Sequence, residues 1–208
     1  MTWEGTAPLR RQHSLPAGVR RAALAAAAIA LLVFGASQMA HGIYIKAKAM
    51  VAQVMLEAAW DRALSGEAAP KPWPWADTWP VAKITVPRLN QSAIVLKSAS
   101  GQAMAFGPGH MSNTPVPGAR GLSVISAHRD THFRFLKDVK IGDQVHVTNA
   151  DGTTVTFRVT ETRIVHADAS GLDAYGPGTR LALVTCYPFD ALTSGPWRYV
   201  VLGEKVDA

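Results

Sequence analysis

The sequence predicts an all-β domain, a sandwich or a barrel with short helical turns, held behind an N-terminal transmembrane helix. Two observations carry that expectation. Ala22 to Ile45 contains no Asp, Glu, Lys or Arg, and beyond residue 81 short β-rich runs alternate with turn signals. A third narrows the chemistry: the 208 residues include a single cysteine, so the core must close without an internal disulfide.

As a helix rising 1.5 Å per residue, Ala22–Ile45 reaches ~36 Å, enough to cross a hydrocarbon core of ~30 Å. Arg10, Arg11, Arg20 and Arg21 precede it, against Lys46 and Lys48 beyond it. The positive-inside bias therefore puts 1–21 in the cytosol as a tail, 22–45 across the membrane as a single-pass anchor, and the rest of the chain outside. Gly35-Ala36-Ser37 offers a signal-cleavage alternative, but the apolar run continues well past it, which favours retention. Either outcome exports the remainder.

Residues 46–80 read as a juxtamembrane helix followed by a linker. Met50, Val51, Val54, Met55, Ala58 and Leu64 recur at helical spacing, and the expectation is a spacer with these residues as its apolar stripe. Gly66 and the prolines at 70, 72, 74 and 80 end the helix. Trp73, Trp75 and Trp79 lie in the linker and are expected to dock on the domain that follows, since bare solvated indoles are costly.

That domain occupies 81–208. Strands are expected over Lys83–Val86, Ala93–Lys97, Leu122–Ala127, Asp143–Asn149, Thr153–His166, Arg180–Cys186 and Arg198–Glu204. Turn signals such as Gly107-Pro-Gly109, Asp151-Gly152 and Gly176-Pro-Gly178 separate them. Ser100–Phe106 and Phe133–Lys137 can form short helical turns. Many short strands of this kind build a sandwich or a barrel.

The net charge is +6, half of it in the N-terminal tail. The rest is scattered through the domain with no basic run and no interleaved aromatics, which argues against nucleic acid as a partner. Cys186 cannot belong to a thiolate zinc site by itself. In an exported domain a lone oxidisable thiol is either a buried hydrophobe or a nucleophile, and export favours the second.

A thiol near pKa 8.5 is only ~3 % thiolate at neutral pH, so a nucleophilic cysteine wants a proton partner. His128 closes the run Leu122–Ala127 and opens the loop that contains His132, while Cys186 likewise ends a β-run, with Pro188 just beyond. Arg198 begins the last strand. If the flanking strands are antiparallel neighbours, Arg198 and Cys186 share one end of the sheet. His132 is the rival base, and its H-x-x-x-H spacing with His128 also suggests a metal pair. Loop signals and the lack of a nearby third ligand argue against metal. His110 reads as a loop residue near the site.

Leu183-Val-Thr-Cys186 followed by Arg198, with Ala127-His128-Arg129 upstream, resembles the sortase signature in both residue types and order. Leu136, Gly142-Asp143 and Val145 also resemble that family's pattern, over roughly residues 81 to 208. Trp73-Pro-Trp-Pro-Trp-Ala-Asp-Thr-Trp79 looks like the Gram-negative branch, class GN. The resemblance implies a closed β-barrel and a transpeptidase that cuts an LPxTG-like sorting motif near a protein's C-terminus and passes the acyl group to an amine acceptor in the cell envelope. It further implies Cys186 as nucleophile, His128 as proton carrier and Arg198 as donor to the substrate carbonyl or the developing oxyanion, with the barrel periplasmic if the branch is Gram-negative; no acidic cluster calls for calcium, so no cofactor is expected. An L,D-transpeptidase would place Ser-His-Gly before the cysteine, where Val184-Thr185 stand here. A hydrolytic cysteine enzyme and a non-enzymatic anchored β-domain remain alternatives, the last requiring an inert thiol. With reference pKa values, a thiolate–imidazolium pair would be ~1 % populated at pH 7, so the resting protonation state stays open.

Overall fold

The computed structural model describes residues 16–191 and 193–206. Most of the tail read over 1–21 therefore lies outside the described residues. The chain divides into two units, 1–48 and 49–208.

In the first unit residues 17–48 are helical. They form the start of α1, Ala17–Leu64, with its apolar side chains exposed. Among the described residues α1 is the one helix long and apolar enough to cross a membrane.

The second unit opens on the C-terminal turns of α1. Ala52, Leu56, Ala59, Trp60 and Ala63 recur at the helical period and are buried, Leu56 at 1 % exposure and Trp60 at 3 %. Leu56, Trp60 and Ala63 pack on Ile94, Leu96, Ala103, Trp73 and Phe106. Gln53 Nε2 adds a 2.8 Å hydrogen bond to the Phe106 carbonyl, and Lys83 pairs with Glu57 at 3.4 Å. The apolar stripe read from the sequence is a different face: Met50, Val51, Val54, Met55, Ala58 and Leu64 stay exposed. Alanines at 52, 59 and 63 let the helix backbone come close, and Leu56 and Trp60 then fill the space between. Fully burying each of those two side chains contributes about 1.5–3 kcal/mol.

The linker lies against the same unit. Trp73 meets Phe106 edge-on at 4.8 Å, and Lys97 N–H donates to the Trp79 carbonyl. Trp75 does not dock; it is 81 % exposed. A turn closed by Ala76 N–H on the Trp73 carbonyl puts Pro74 and Trp75 at its outer corner, which turns that indole outward.

Eight strands follow: β1 Pro80–Val86, β2 Gln91–Leu96, β3 Gly109–His110, β4 Gly121–Ser126, β5 Gln144–Asn149, β6 Thr154–His166, β7 Thr179–Cys186 and β8 Trp197–Lys205. They close into a barrel in the order β1-β2-β3-β4-β7-β8-β6-β5. Closure leaves no open edge for another chain to pair with. Pairing is antiparallel except for β2 with β3 and β4 with β7. β3 is only two residues long and sits inside the Gly107-Pro-Gly turn signal, so no periodicity marked it. A Cβ at Gly109 would collide with the Ser98 carbonyl, which is why that crowded crossing needs glycine. The short helix α2, Gly101–Met104, is capped by Ser100, whose hydroxyl accepts from Ala103 N–H.

Strand alternation sorts side chains into two layers. Ile125, Leu181, Leu183, Val201, Val145, Val147 and Phe157 point into the barrel, where Phe133 and Leu136 join them. Leu122, Val124, Ala182 and Val200 form a second, smaller cluster with Leu172 from the β6–β7 connection.

Arg88 and Asp143 tie the turn after β1 to the start of β5. The guanidinium grips the carboxylate through Nε to Oδ1 and through Nη2 to Oδ2 at 2.7 Å, and Lys140 N–H donates to the same carboxylate. The Arg88 hydrogen bond holds the Asp143 carboxyl below its ordinary value, against an opposing effect of burial. A depressed folded value means the stabilisation is present above the unfolded carboxylate pKa of about 4 and is lost as pH falls through the folded value. Acid unfolding followed by tryptophan fluorescence should show this. Asp143→Asn is expected to be less stable than the parent at pH 7, with the gap closing below about pH 4.

Candidate active site

β4 and β7 pair in parallel from Gly121↔Thr179 to Ser126↔Val184. Cys186 is two residues past Val184 and His128 two residues past Ser126, so both leave adjacent strands at the same end. The Ala127 N–H to Val184 carbonyl bond, 3.2 Å, carries the pairing one step beyond β4. Thr185 turns inward and donates its hydroxyl to the Ala127 carbonyl at 2.7 Å. Its two strand neighbours, Val184 and Cys186, therefore face out.

β7 and β8 are antiparallel, and their register sets Cys186 directly opposite Arg198. Directly opposed residues project to the same face. Arg198 Nη1 donates to the Gly195 and Trp197 carbonyls at 2.8 and 2.9 Å. Its Nη2 and Nε make no hydrogen bond among the described residues and remain as donors for a ligand. The thiol is half-buried, Arg198 is half-buried and His128 is exposed. The three predicted residues are thus brought to one rim, although no hydrogen bond joins His128 to Cys186.

The other histidines are placed differently. His132 is half-buried, and burial is the main cause that holds its imidazole below the ordinary value, with the neighbouring Ala105 carbonyl opposing and His128 adding to the effect. His110 is buried in β3 with Nε2 3.0 Å from the Pro115 carbonyl, and burial likewise lowers its value. His146 Nδ1 meets Thr156 Oγ1 across β5 and β6 at 2.9 Å. His166 stands edge-on to Trp197 at 5.5 Å. Among the described residues no group of three or more His, Cys, Asp or Glu could hold a metal ion.

A groove of about 380 Å³ runs along the outer face of β4, β7 and β8. Val124, Ser126, Val184, Val200 and Arg198 form its floor, and Met111, Asn113, Thr114, Ser170 and Leu172 its walls. Arg198 thus links the groove to the rim where Cys186 sits. A recess of about 480 Å³ at Pro177–Arg180 and Glu204–Lys205 lies at the opposite end of the same two strands, away from the thiol. The groove walls come from connections whose sequences show only turn signals, so their convergence had no local mark. Arg129, which the sequence marks only as part of the Ala127-His128-Arg129 motif, donates through Nη2 to the carbonyls of Ala191 and Thr193 at 2.6 and 2.8 Å. An arginine directly after a strand-end histidine was the one available hint.

Comparison with known proteins bears on this arrangement. The curated Sortase D of Bacillus subtilis is 30 % identical over 124 residues, which are 59 % of this chain and 62 % of that protein. The chain thus spans just over three fifths of that relative. The catalytic domain of Bacillus anthracis SrtD is 30 % identical with a TM-score of 0.52, over 62 % of this chain and 88 % of that one. Sortase A from Corynebacterium diphtheriae superposes with a TM-score of 0.58 at 23 % identity, over 76 % of this chain and 85 % of that one, a likeness of fold. The sortase domain family matches residues 84–206, from within β1 to just past β8, and so takes in His128, Cys186 and Arg198. With that span matched and the barrel alike, this chain belongs to the sortase family.

Proposed function

We propose that the protein is a cysteine transpeptidase that cleaves an LPxTG-like sorting motif and transfers the acyl group to an amine. The observation that supports this most is the register that sets Cys186 opposite Arg198, with His128 at the adjoining strand end. The outer groove leading to that rim suits an extended peptide.

In this reading the Cys186 sulfur attacks the carbonyl carbon of the motif's threonine. Arg198, through Nη2 and Nε, donates hydrogen bonds to the oxygen as it gains charge, where fixed donors matter most. The C–N bond breaks as His128 gives its proton to the leaving amine, and a thioester remains. An incoming amine then attacks the thioester carbonyl, His128 takes its proton, and the sulfur leaves as thiolate. Either resting form of the pair serves, since both hold one proton between sulfur and imidazole. His132 is less suited to this role, since burial makes its imidazole a weaker base than an exposed one.

We further propose that α1 anchors the protein by a single pass with its N-terminus in the cytosol, so that the barrel works on a partner protein and an envelope amine outside. Arg20 and Arg21 at the head of the apolar run support that orientation. The domain scheme follows: 22–45 in the membrane and 81–208 as the catalytic barrel, with 46–80 joining them. The class GN attribution, and with it a periplasmic site, rests on the tryptophan–proline run at 73–79.

Two measurements test the reading. In the native full-length protein, a peptidyl vinyl sulfone built on the sorting motif is expected to add one equivalent at Cys186, seen as an intact-mass shift absent from Cys186→Ala. A thiol that reacts only after denaturation would refute it. In acyl-transfer assays His128→Ala and Arg198→Ala are each expected to lower kcat/KM by about a hundredfold or more, far beyond the loss from His132→Ala. The reverse ranking would reassign the base.

A further inference from the structure

His128 and Cys186 are set by two different pieces of backbone, and no hydrogen bond between them fixes their separation. The Thr185 hydroxyl on the Ala127 carbonyl ties the strand ends on the inner side. On the outer side the corresponding tie is made by one side chain. Arg129 is the residue after His128, and its Nη2 places one N–H on the Ala191 carbonyl and another on the Thr193 carbonyl. Those carbonyls lie midway along the connection that leaves Cys186 and returns to Arg198. Further along, the connection is fastened at its return end: Tyr187 N–H donates to the Trp197 carbonyl, and Ala167 N–H to the Pro196 carbonyl. Its middle is held to the histidine loop by Arg129.

We propose that Arg129 is a positioning residue that sets the gap between the His128 imidazole and the Cys186 sulfur by clamping the β7–β8 connection to the histidine loop. Charge-assisted bonds from a half-buried guanidinium are strong, and one nitrogen, Nη2, serves both acceptors while Nη1 is buried without a partner among the described residues, so the clamp fixes the distance between loop and connection. A lysine ammonium can reach one or both carbonyls, but its flexible stem does not hold a plane. Proton transfer between His128 and the thiol depends steeply on that gap, and an error of about 1 Å costs up to about a hundredfold in rate.

The inference rests on the proposed transpeptidase reading, and the experiment separates the two. Full-length protein, Arg129→Met and Arg129→Lys are compared for the pH profile of Cys186 alkylation by iodoacetamide, for kcat and KM with a sorting-motif peptide, and for thermal unfolding. Arg129→Met is expected to lower kcat about tenfold to a hundredfold with KM changed less than about threefold, and to shift the alkylation profile. Arg129→Lys should recover part of both. A profile that superimposes on the parent's in the folded variant, or a loss of rate that only follows the folded fraction, overturns the clamp. If the parent turns over no peptide, the transpeptidase reading fails, while the alkylation profiles of the folded proteins still decide the role of Arg129.

Discussion

β4 and β7 run side by side in the same direction through six consecutive residue pairs, within a barrel that is otherwise mostly antiparallel. Parallel neighbours end at the same edge, so whatever follows each strand emerges side by side. Here those followers are an imidazole and a thiol. Because side chains alternate with period two, a slip of one residue in this pairing would turn Cys186 into the barrel and carry Thr185 out. Leu181 and Leu183, buried among Ile125, Phe157 and Val201, make such a slip costly. The hydrophobic core thereby sets the geometry of the rim.

The same register supplies the groove. Ala182 and Val184 alternate with the core leucines and line the outside with Val124 and Val200, where the β6–β7 connection covers them through Leu172. Loops contribute the walls and the strands the floor, so the floor is rigid while the walls can differ between relatives. Elsewhere in the unit, the C-terminal turns of α1 dock on the Ala103–Phe106 turn.

Much of this was legible in the chain because the signals were local. The strand runs came out within about three residues, since β-rich alternation and Gly-Pro turns mark them directly. Cys186, His128 and Arg198 stood out as chemistry-bearing residues at strand ends. What was not legible depended on pairs far apart in sequence. No feature near residue 186 announces that β7 lies beside β4, and β3 is too short to show a period. The packed face of α1 gave no local signal for a related reason: hydropathy ranks Met50 and Val54 above Ala52 and Ala59, whereas close approach of a helix to a barrel rewards the small side chains. Trp75 was expected to dock, but the turn at Trp73–Ala76 decides where it points.

The sulfur at the end of β7 is half-buried beside an outer groove, and the chain carries no second cysteine. Peroxide reaching that rim would convert the thiolate to a sulfenic acid, and a sulfenic acid is normally rescued by condensing with a neighbouring thiol. Here there is none to resolve it. Recovery must come from a reductant supplied by the surroundings, and without one a second peroxide carries the sulfur to the irreversible sulfinic state.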